Sequence, residues 1–222
     1  MEIWLDTSDL DLIEKAKSLG ILHGVTTNPS IAAKSGLSLE DLLSKILAIQ
    51  PGPVTAQVTA EDAAEMVRQG EALRKFSDRI IVKVPVTAEG LKAIARFNES
   101  HIPTMATAVF NLNQVLLAAS AKAQYIAPYF SHICEEEREG IEVMQSMLRL
   151  LNRYQFSSKI IAASLRTPEQ IRECCEMGAH AVTLNGKVFH EFIEDHPQTV
   201  KSVDRFNHDW KEAKMDLPKA RC

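Results

Sequence analysis

The feature that most constrains the fold of this chain is a regular alternation of short apolar runs with longer segments of helical periodicity. We count eight apolar runs, and each is followed by a segment whose apolar residues recur at helical spacing. This alternation predicts parallel strands joined by helices. Eight units in 222 residues, with no linker between them, favour an α/β fold of one (β/α)8 TIM barrel over an open doubly wound sheet. No run is followed by G-x-G-x-x-G, which argues against the open dinucleotide-binding form.

Turn residues and helix caps predict the element boundaries. Strands are predicted at residues 2–6, 22–26, 54–59, 80–86, 103–108, 124–129, 159–164 and 181–184. Helices are predicted at about 7–19, after Pro29, and at 38–49, 60–76, 91–97, 111–121, 140–151, 167–177 and from 186 onward. The chain is predicted to be one domain, 1–222, with 197–222 as a C-terminal helical tail. We expect the tail aromatics Phe206 and Trp210 to dock on the barrel or on a neighbouring subunit. The charge run 134–139 is interpreted as a solvated loop or helix start.

Composition argues against several classes of partner. The formal net charge is −4 and no basic block is present, so neither nucleic acid nor a membrane surface is predicted as a partner. No signal-peptide pattern and no long apolar span are visible, which predicts a cytoplasmic protein. The seven histidines show no metal-ligand spacing, so no metal is predicted. The cysteines fall in no C-x-x-C pattern and are interpreted as reduced thiols: Cys134, Cys174, Cys175 and Cys222.

One predicted strand, 80–86, carries an amine in the middle of a Val/Ile run. Such a run is typical of a strand covered on both faces, where an unpaired ammonium is costly to bury. Lys83 is therefore either an edge-strand lysine that reaches solvent or a buried amine with a chemical role. Burial can bring the pKa of a lysine from ~10.4 toward ~7–8, where the free amine attacks carbonyls to form a Schiff base.

Polar residues stand at or just after the ends of seven predicted strands, and barrels of this class place their active sites at that end. They are Asp6, Thr26 with Asn28, Gln57, Lys83, Thr107, Tyr129, and Ser164 with Arg166. A single polar residue at a strand end is commonly a helix cap. Seven strands that share the pattern around one lysine instead favour a site for hydroxyl-rich carbonyl substrates.

At these positions the chain resembles the transaldolase family of class I aldolases, and within it the fructose-6-phosphate aldolase subgroup. The resemblance covers nearly the whole length and is carried by residues 5–7, 24–30, 82–91, 127–129 and 162–164. It implies that Lys83 forms an imine with a ketone donor, that Asp6 and Asn28 hold donor hydroxyls, and that Thr107 helps to place a catalytic water. It also implies no cofactor, a sugar or sugar-phosphate substrate, and a homo-oligomer such as a ring-like pentamer or decamer.

Two positions separate the subgroups of that family. Transaldolases carry glutamate and phenylalanine where this chain has Gln57 and Tyr129, and the aldolases carry glutamine and tyrosine. A neutral amide avoids a second carboxylate beside Lys83, which would hold the amine charged. A phenol can transfer a proton, which a phenylalanine cannot. These residues favour an aldolase with Tyr129 as acid/base partner, and a core tyrosine is the alternative for that residue.

One position departs from the family. The residue three positions after the tyrosine is usually an arginine that binds substrate phosphate, and here it is His132. Arg166 and Ser164 remain as candidate phosphate ligands. The departure predicts weaker or pH-dependent phosphate recognition. Three functions therefore stay in competition: an aldolase that cleaves fructose 6-phosphate to dihydroxyacetone and glyceraldehyde 3-phosphate, a transaldolase, and a sugar-phosphate-binding barrel without catalysis.

Overall fold

Eight parallel strands close into a barrel in the computed structural model, which describes residues 1–136 and 140–217. Neighbouring strands pair in chain order, and the last strand returns to pair with the first. The strands are β1 (Glu2–Asp6), β2 (Leu22–Thr26), β3 (Val54–Gln57), β4 (Ile80–Pro85), β5 (Thr104–Val109), β6 (Tyr125–Pro128), β7 (Lys159–Ala162) and β8 (Ala181–Leu184). The predicted (β/α)8 barrel with a C-terminal helix is confirmed.

Helices follow the strands, and those with buried residues pack on the outside of the barrel. They are α1 (Leu10–Ser18), α2 (Pro29–Lys34), α3 (Leu39–Ile49), α4 (Ala63–Phe76), α5 (Ala88–Glu99), α6 (Leu112–Ser120), α7 (Phe130–Glu136), α8 (Gly140–Arg153), α9 (Pro168–Met177), α10 (Gly186–Phe192) and α11 (Pro197–Glu212). None of the helices within residues 1–136 and 140–217 has the length and apolar character to cross a bilayer. Cys222, the tail residues 218–221 and part of the predicted charge run, 137–139, lie outside the described residues.

Alternation along the strands divides the apolar residues into two layers, because successive strand side chains point to opposite faces. Ile80, Val82 and Val84 belong to the layer between barrel and helices. Ile81 belongs to the layer inside the barrel, with residues such as Trp4, Met105, Tyr125 and Ile161. Lys83 shares its face with Ile81, so its side chain lies in the barrel interior.

Four strands end earlier than predicted, at the mouth of the barrel: β4 ends one residue early, at Pro85, and β3, β6 and β7 also end early. β3 stops at Gln57 because the next free backbone N–H groups, those of Thr59 and Ala60, donate to the side-chain oxygen of Gln69 at 2.8 and 3.2 Å. β7 stops before Ser164, whose backbone is left-handed with φ 60°. In β6 the regular pairing ends at Pro128, and Tyr129 forms only an isolated bridge to Ala163.

The sequence analysis missed one helix, α7, which begins directly after the β6 bridge. The run of glutamates at its end is typical of solvent-exposed segments and predicts only a solvated loop or helix start there. Phe130 and Ile133, three residues apart, are both buried and carry the helical signal.

At the opposite end of the barrel, a half-buried carboxylate links three strands. Glu2 on β1 accepts hydrogen bonds from Trp4 Nε1 (3.1 Å), Tyr125 OH (2.9 Å) and Lys159 Nζ (2.6 Å). Burial acts to raise the pKa of the Glu2 carboxyl, but the hydrogen bonds from Lys159, Tyr125 and Trp4 outweigh it and hold the pKa below its ordinary value. The ionised carboxylate therefore stabilises the fold.

We predict that Glu2→Gln lowers the free energy of unfolding at pH 7 by about 1.5–3 kcal/mol, the usual loss for a hydrogen-bonded charge. Because the folded-state pKa of Glu2 is lowered, its contribution is complete above the ordinary value of 4.5 and is lost as the pH falls through the folded-state pKa. Urea unfolding at pH 7 and at stepwise lower pH should show wild type and variant converging in acid. Glu14→Gln, the same change at an exposed α1 position, should have little effect; an equal loss there would contradict the assignment.

Candidate functional site

Lys83 lies on β4 inside the mouth of the barrel, and its side chain is almost completely buried. The residue is only 4 % exposed. Its Nζ donates to the backbone carbonyl of Thr27 at 3.2 Å. In the strand register, Gln57 on β3 and Met105 on β5 stand beside it. The alternative of a lysine that reaches solvent from an edge strand is wrong, because the closed barrel has no edge.

Burial sets the protonation of this amine. Desolvation lowers the pKa of Lys83 below that of an ordinary lysine, and the negative charge of Asp6 only partly offsets the decrease. A neutral carbonyl, not a carboxylate, accepts the hydrogen bond, and no carboxylate within residues 1–136 and 140–217 forms a direct ion pair with the amine. Such an amine has a larger uncharged fraction near neutral pH, which is the form that attacks a carbonyl.

A chain of hydroxyl groups orients Asp6. Thr26 Oγ1 lies 2.7 Å from Asp6 Oδ1 and 2.7 Å from Thr183 Oγ1. A carboxylate can only accept, so Thr26 gives it its single proton and accepts the proton of Thr183. Thr26 and Thr183 are buried, at 1 % and 4 % exposure. Asp6, half-buried, is thereby held at the mouth end of the interior.

Two residues that follow β2, Thr27 and Asn28, form hydrogen bonds that hold the local backbone. Asn28 is the N-cap of α2, and its Oδ1 accepts from the backbone N–H of Ile31 at 2.9 Å. The Thr27 backbone N–H donates to Thr55 Oγ1 at 3.1 Å, and its hydroxyl donates to the Thr55 carbonyl at 2.7 Å. These bonds fix the Thr27 carbonyl that accepts from Lys83.

Tyr129 and Thr107 contact each other at the mouth of the barrel, from the ends of the neighbouring strands β6 and β5. Their hydroxyl oxygens are 3.3 Å apart, and either can be the donor. Thr107 is buried on β5, whereas Tyr129 is half-buried beyond β6. Phe110 contacts the tyrosine ring edge-on, with centroids 5.3 Å apart, and lies 6.2 Å from the ring of His132. The phenol is therefore held against an aromatic wall and keeps one side toward the interior.

The remaining predicted residues lie toward the outer rim and adjoin Tyr129, because the ring of His132 is 5.8 Å from the tyrosine ring. Ser164 Oγ lies 3.2 Å from His132 Nδ1. Arg166 does not join them: its guanidinium pairs with Glu135 on α7, and its backbone N–H donates to Gln170 at 2.8 Å. The predicted residues thus divide into an inner set around Lys83 and a rim set around Ser164.

Sequence reasoning missed three residues of the site. Thr183 is on the inner face of β8, two positions after Ala181, and strand alternation could have identified it. Phe110 follows a left-handed Ala108 and a register shift in β5, so simple alternation does not predict where it lies. Glu135 contacts Arg166 from 31 positions away, which no local pattern indicates. Among the residues that the structure describes, no three His, Cys, Asp or Glu side chains are grouped as a metal site requires.

Taken together, the inner set offers a desolvated amine, an oriented carboxylate and a phenol within one barrel. These are the groups that imine chemistry on a polyhydroxylated ketone uses: a nucleophile and a proton donor or acceptor on either side of it.

Comparisons with known proteins agree with this chemistry. The family model described as Transaldolase/Fructose-6-phosphate aldolase matches residues 3–220. A protein of Geobacillus kaustophilus named probable transaldolase is 41% identical over 96% of this chain and 100% of its own length. A probable transaldolase of Thermoanaerobacter sp. is 36% identical over 98% of this chain and 100% of its own. A mandelate oxidase mutant of known structure, only 12% identical, shares the barrel fold with a TM-score of 0.58 over 82% of this chain and 62% of that one. The chain therefore belongs to the transaldolase/fructose-6-phosphate aldolase family of carbohydrate-metabolising enzymes.

Proposed function

We propose that this enzyme is a class I aldolase, an aldehyde-lyase that reversibly cleaves fructose 6-phosphate or a related ketose into dihydroxyacetone and an aldehyde. The observation that carries the proposal is the buried Lys83 amine, whose pKa is lowered by desolvation. Its companions in the barrel, Asp6 and Tyr129, supply the acid/base groups that the reaction needs. The protein's own side chains suffice for each step described below.

The reaction begins when the uncharged Lys83 nitrogen bonds to the ketone carbon of the sugar and the carbonyl oxygen leaves as water. The resulting imine withdraws electrons, and the bond between the third and fourth carbons breaks while the proton of the hydroxyl on the fourth carbon passes through the Tyr129 hydroxyl and water to the imine nitrogen. The fourth carbon leaves as an aldehyde, and the electron pair stays on the donor as an enamine. A proton from Tyr129 then converts the enamine to an imine, and water placed near Thr107 hydrolyses it to free dihydroxyacetone.

Asp6 and Asn28 bind the donor hydroxyls in this proposal. The Thr26–Thr183 chain holds the Asp6 carboxylate in place. The Asn28 side-chain oxygen is engaged by the α2 backbone, so the amide NH2 is the end that meets a hydroxyl. Ser164, His132 and Arg166 lie at the rim, where the aldehyde half of the substrate would project.

The alternative is a transaldolase, which passes the three-carbon unit from the same Lys83 imine to a second sugar. The name probable transaldolase, carried by relatives such as that of Oceanobacillus iheyensis at 40% identity, favours it. Gln57 and Tyr129 favour the aldolase. Gln57 is the residue that the aldolase subgroup carries, and a phenol beside Thr107 can protonate the enamine before a second sugar reacts with it. We therefore rank the aldolase first.

One assay separates the two functions. Fructose 6-phosphate is incubated with the enzyme, with and without erythrose 4-phosphate, and glyceraldehyde 3-phosphate and dihydroxyacetone are quantified. Stoichiometric release of both products without the acceptor supports the aldolase. Product formation only with the acceptor supports the transaldolase. If the protein binds the sugar phosphate but shows no turnover, the result supports a sugar-phosphate-binding barrel without catalysis.

Lys83→Met should abolish covalent trapping of a ketose by borohydride, because methionine fills a similar volume without the amine. The variant should also unfold at a higher temperature than wild type, since the lowered pKa of Lys83 shows that burying this amine opposes folding. Mass spectrometry of the adduct and thermal unfolding measure the two effects. Lys45→Met, at an exposed α3 position, serves as control and should trap normally. Trapping that survives in a folded Lys83→Met protein would remove Lys83 from the mechanism.

Tyr129→Phe should lower ketose cleavage by about 10²-fold, within the range for losing a general acid, while borohydride trapping persists. Adding Gln57→Glu should then raise transfer to erythrose 4-phosphate relative to dihydroxyacetone release. Tyr154→Phe, which removes a phenol from an exposed ring, is the matched control. Unchanged cleavage in Tyr129→Phe would make the phenol structural and would favour the transaldolase.

We also propose that the enzyme assembles as a homo-oligomer through α11. None of the residues of this helix is buried, although four apolar residues form an exposed stripe: Val200, Val203, Phe206 and Trp210, with 45%, 49%, 59% and 43% exposure. Such a stripe on an otherwise polar helix is typical of a contact surface. The ring-like pentamer or decamer implied by the family resemblance would cover it.

Phe206→Asp with Trp210→Asp should therefore shift the protein to a smaller species, because charges would enter an apolar interface. Size-exclusion chromatography with light scattering measures the mass. Asn207→Asp, a charge added at a neighbouring polar position, should leave the mass unchanged. A wild-type monomer, or equal masses for all three proteins, would contradict assembly through this stripe.

A further inference from the structure

Two side chains of the helix α7 contact two side chains of the loop after β7. His132 and Glu135, three positions apart, lie on one face of the helix. Ser164 and Arg166, two positions apart, lie on the loop. His132 contacts Ser164 at 3.2 Å, and Glu135 contacts Arg166. Gln170 adds to these contacts, because its side-chain oxygen accepts from both Ser131 and the Arg166 backbone.

The contact between Glu135 and Arg166 uses both arms of the guanidinium. Nη1 binds Oε1, and Nη2 lies 3.3 Å from Oε2. This fork is the geometry in which arginine binds a phosphate as well as a carboxylate, so the two anions compete for the same donors. The side chains of both residues are 52% exposed, so a ligand from solvent can reach them.

We propose that Glu135 reduces the preference of the enzyme for phosphorylated acceptor aldehydes over unphosphorylated ones. The Glu135 carboxylate occupies both Nη groups of Arg166. A phosphorylated aldehyde can bind the guanidinium only by displacing this carboxylate. The ion pair therefore reduces the advantage of a phosphorylated aldehyde over a small unphosphorylated hydroxyaldehyde, which needs only the Ser164 hydroxyl and the His132 ring nitrogen. This inference rests on the proposed aldolase or transaldolase function and names the substrate class of that site.

The test measures the ratio of kcat/KM for glyceraldehyde 3-phosphate to that for glyceraldehyde, with dihydroxyacetone as donor in the synthesis direction. Glu135→Ala should raise this ratio about five-fold, the size expected for removing an exposed ion pair. Glu136→Ala is the matched control, since it deletes the same charge one position further along α7. In the double variant Glu135→Ala with Arg166→Ala, the gain should disappear.

A second readout does not depend on turnover. Inorganic phosphate, titrated calorimetrically, should bind Glu135→Ala about five-fold more tightly than wild type or Glu136→Ala. A shifted phosphate affinity without any aldehyde turnover would retain the competition at Arg166 and reject the proposed function. Turnover with an unchanged ratio in Glu135→Ala, an equal rise in Glu136→Ala, or a gain that survives loss of Arg166 would overturn the inference.

Discussion

Desolvation of the Lys83 amine is the constraint on which the arrangement of the barrel mouth depends. An uncharged amine is useful only if it is kept away from water and from any carboxylate close enough to protonate it. The structure meets both conditions: the residue is only 4 % exposed, and its acceptor is the neutral Thr27 carbonyl. The nearby carboxylate, Asp6, is bound by the Thr26 hydroxyl and only partly offsets the decrease in pKa.

A second lysine of the barrel strands, Lys159, has the solvent contact and the carboxylate partner that Lys83 lacks. Lys159 begins β7 at the opposite end and donates to the Glu2 carboxylate at 2.6 Å. Its side chain is 45% exposed, so solvent and a counter-ion both stabilise its charge. The same residue type therefore stabilises the fold at one end and opposes it at the other. This division is typical of TIM barrels, where one end serves stability and the other chemistry.

Much of the fold and the inner site could be predicted because their signals are local. The bounds of β1, β2 and β8 follow from apolar runs with turn residues at both ends, and strand alternation places Lys83 and Thr107 on one face. The rim could not be predicted in the same way. The contact of Arg166 with Glu135 joins segments distant in sequence, and the glutamates of α7 have the composition of a solvated loop.

Strand alternation also cannot predict the position of Tyr129, because the backbone is strained on both sides of the end of β6. Ala108 and Ser164, at the ends of the flanking strands β5 and β7, have φ values of 56° and 60°. A left-handed conformation costs a non-glycine residue about 1 kcal/mol or more, and it persists only where the surroundings impose it. Here the surroundings are the backbone bonds that Tyr129 N–H donates to Val109 (3.0 Å) and Phe130 N–H donates to Ala163 (2.9 Å). These bonds hold the end of β6 between two strained neighbours. The backbone therefore keeps the Tyr129 hydroxyl near Thr107, and the side-chain contact between the two is long, at 3.3 Å. The phenol is thereby left available for proton transfer in the proposed reaction.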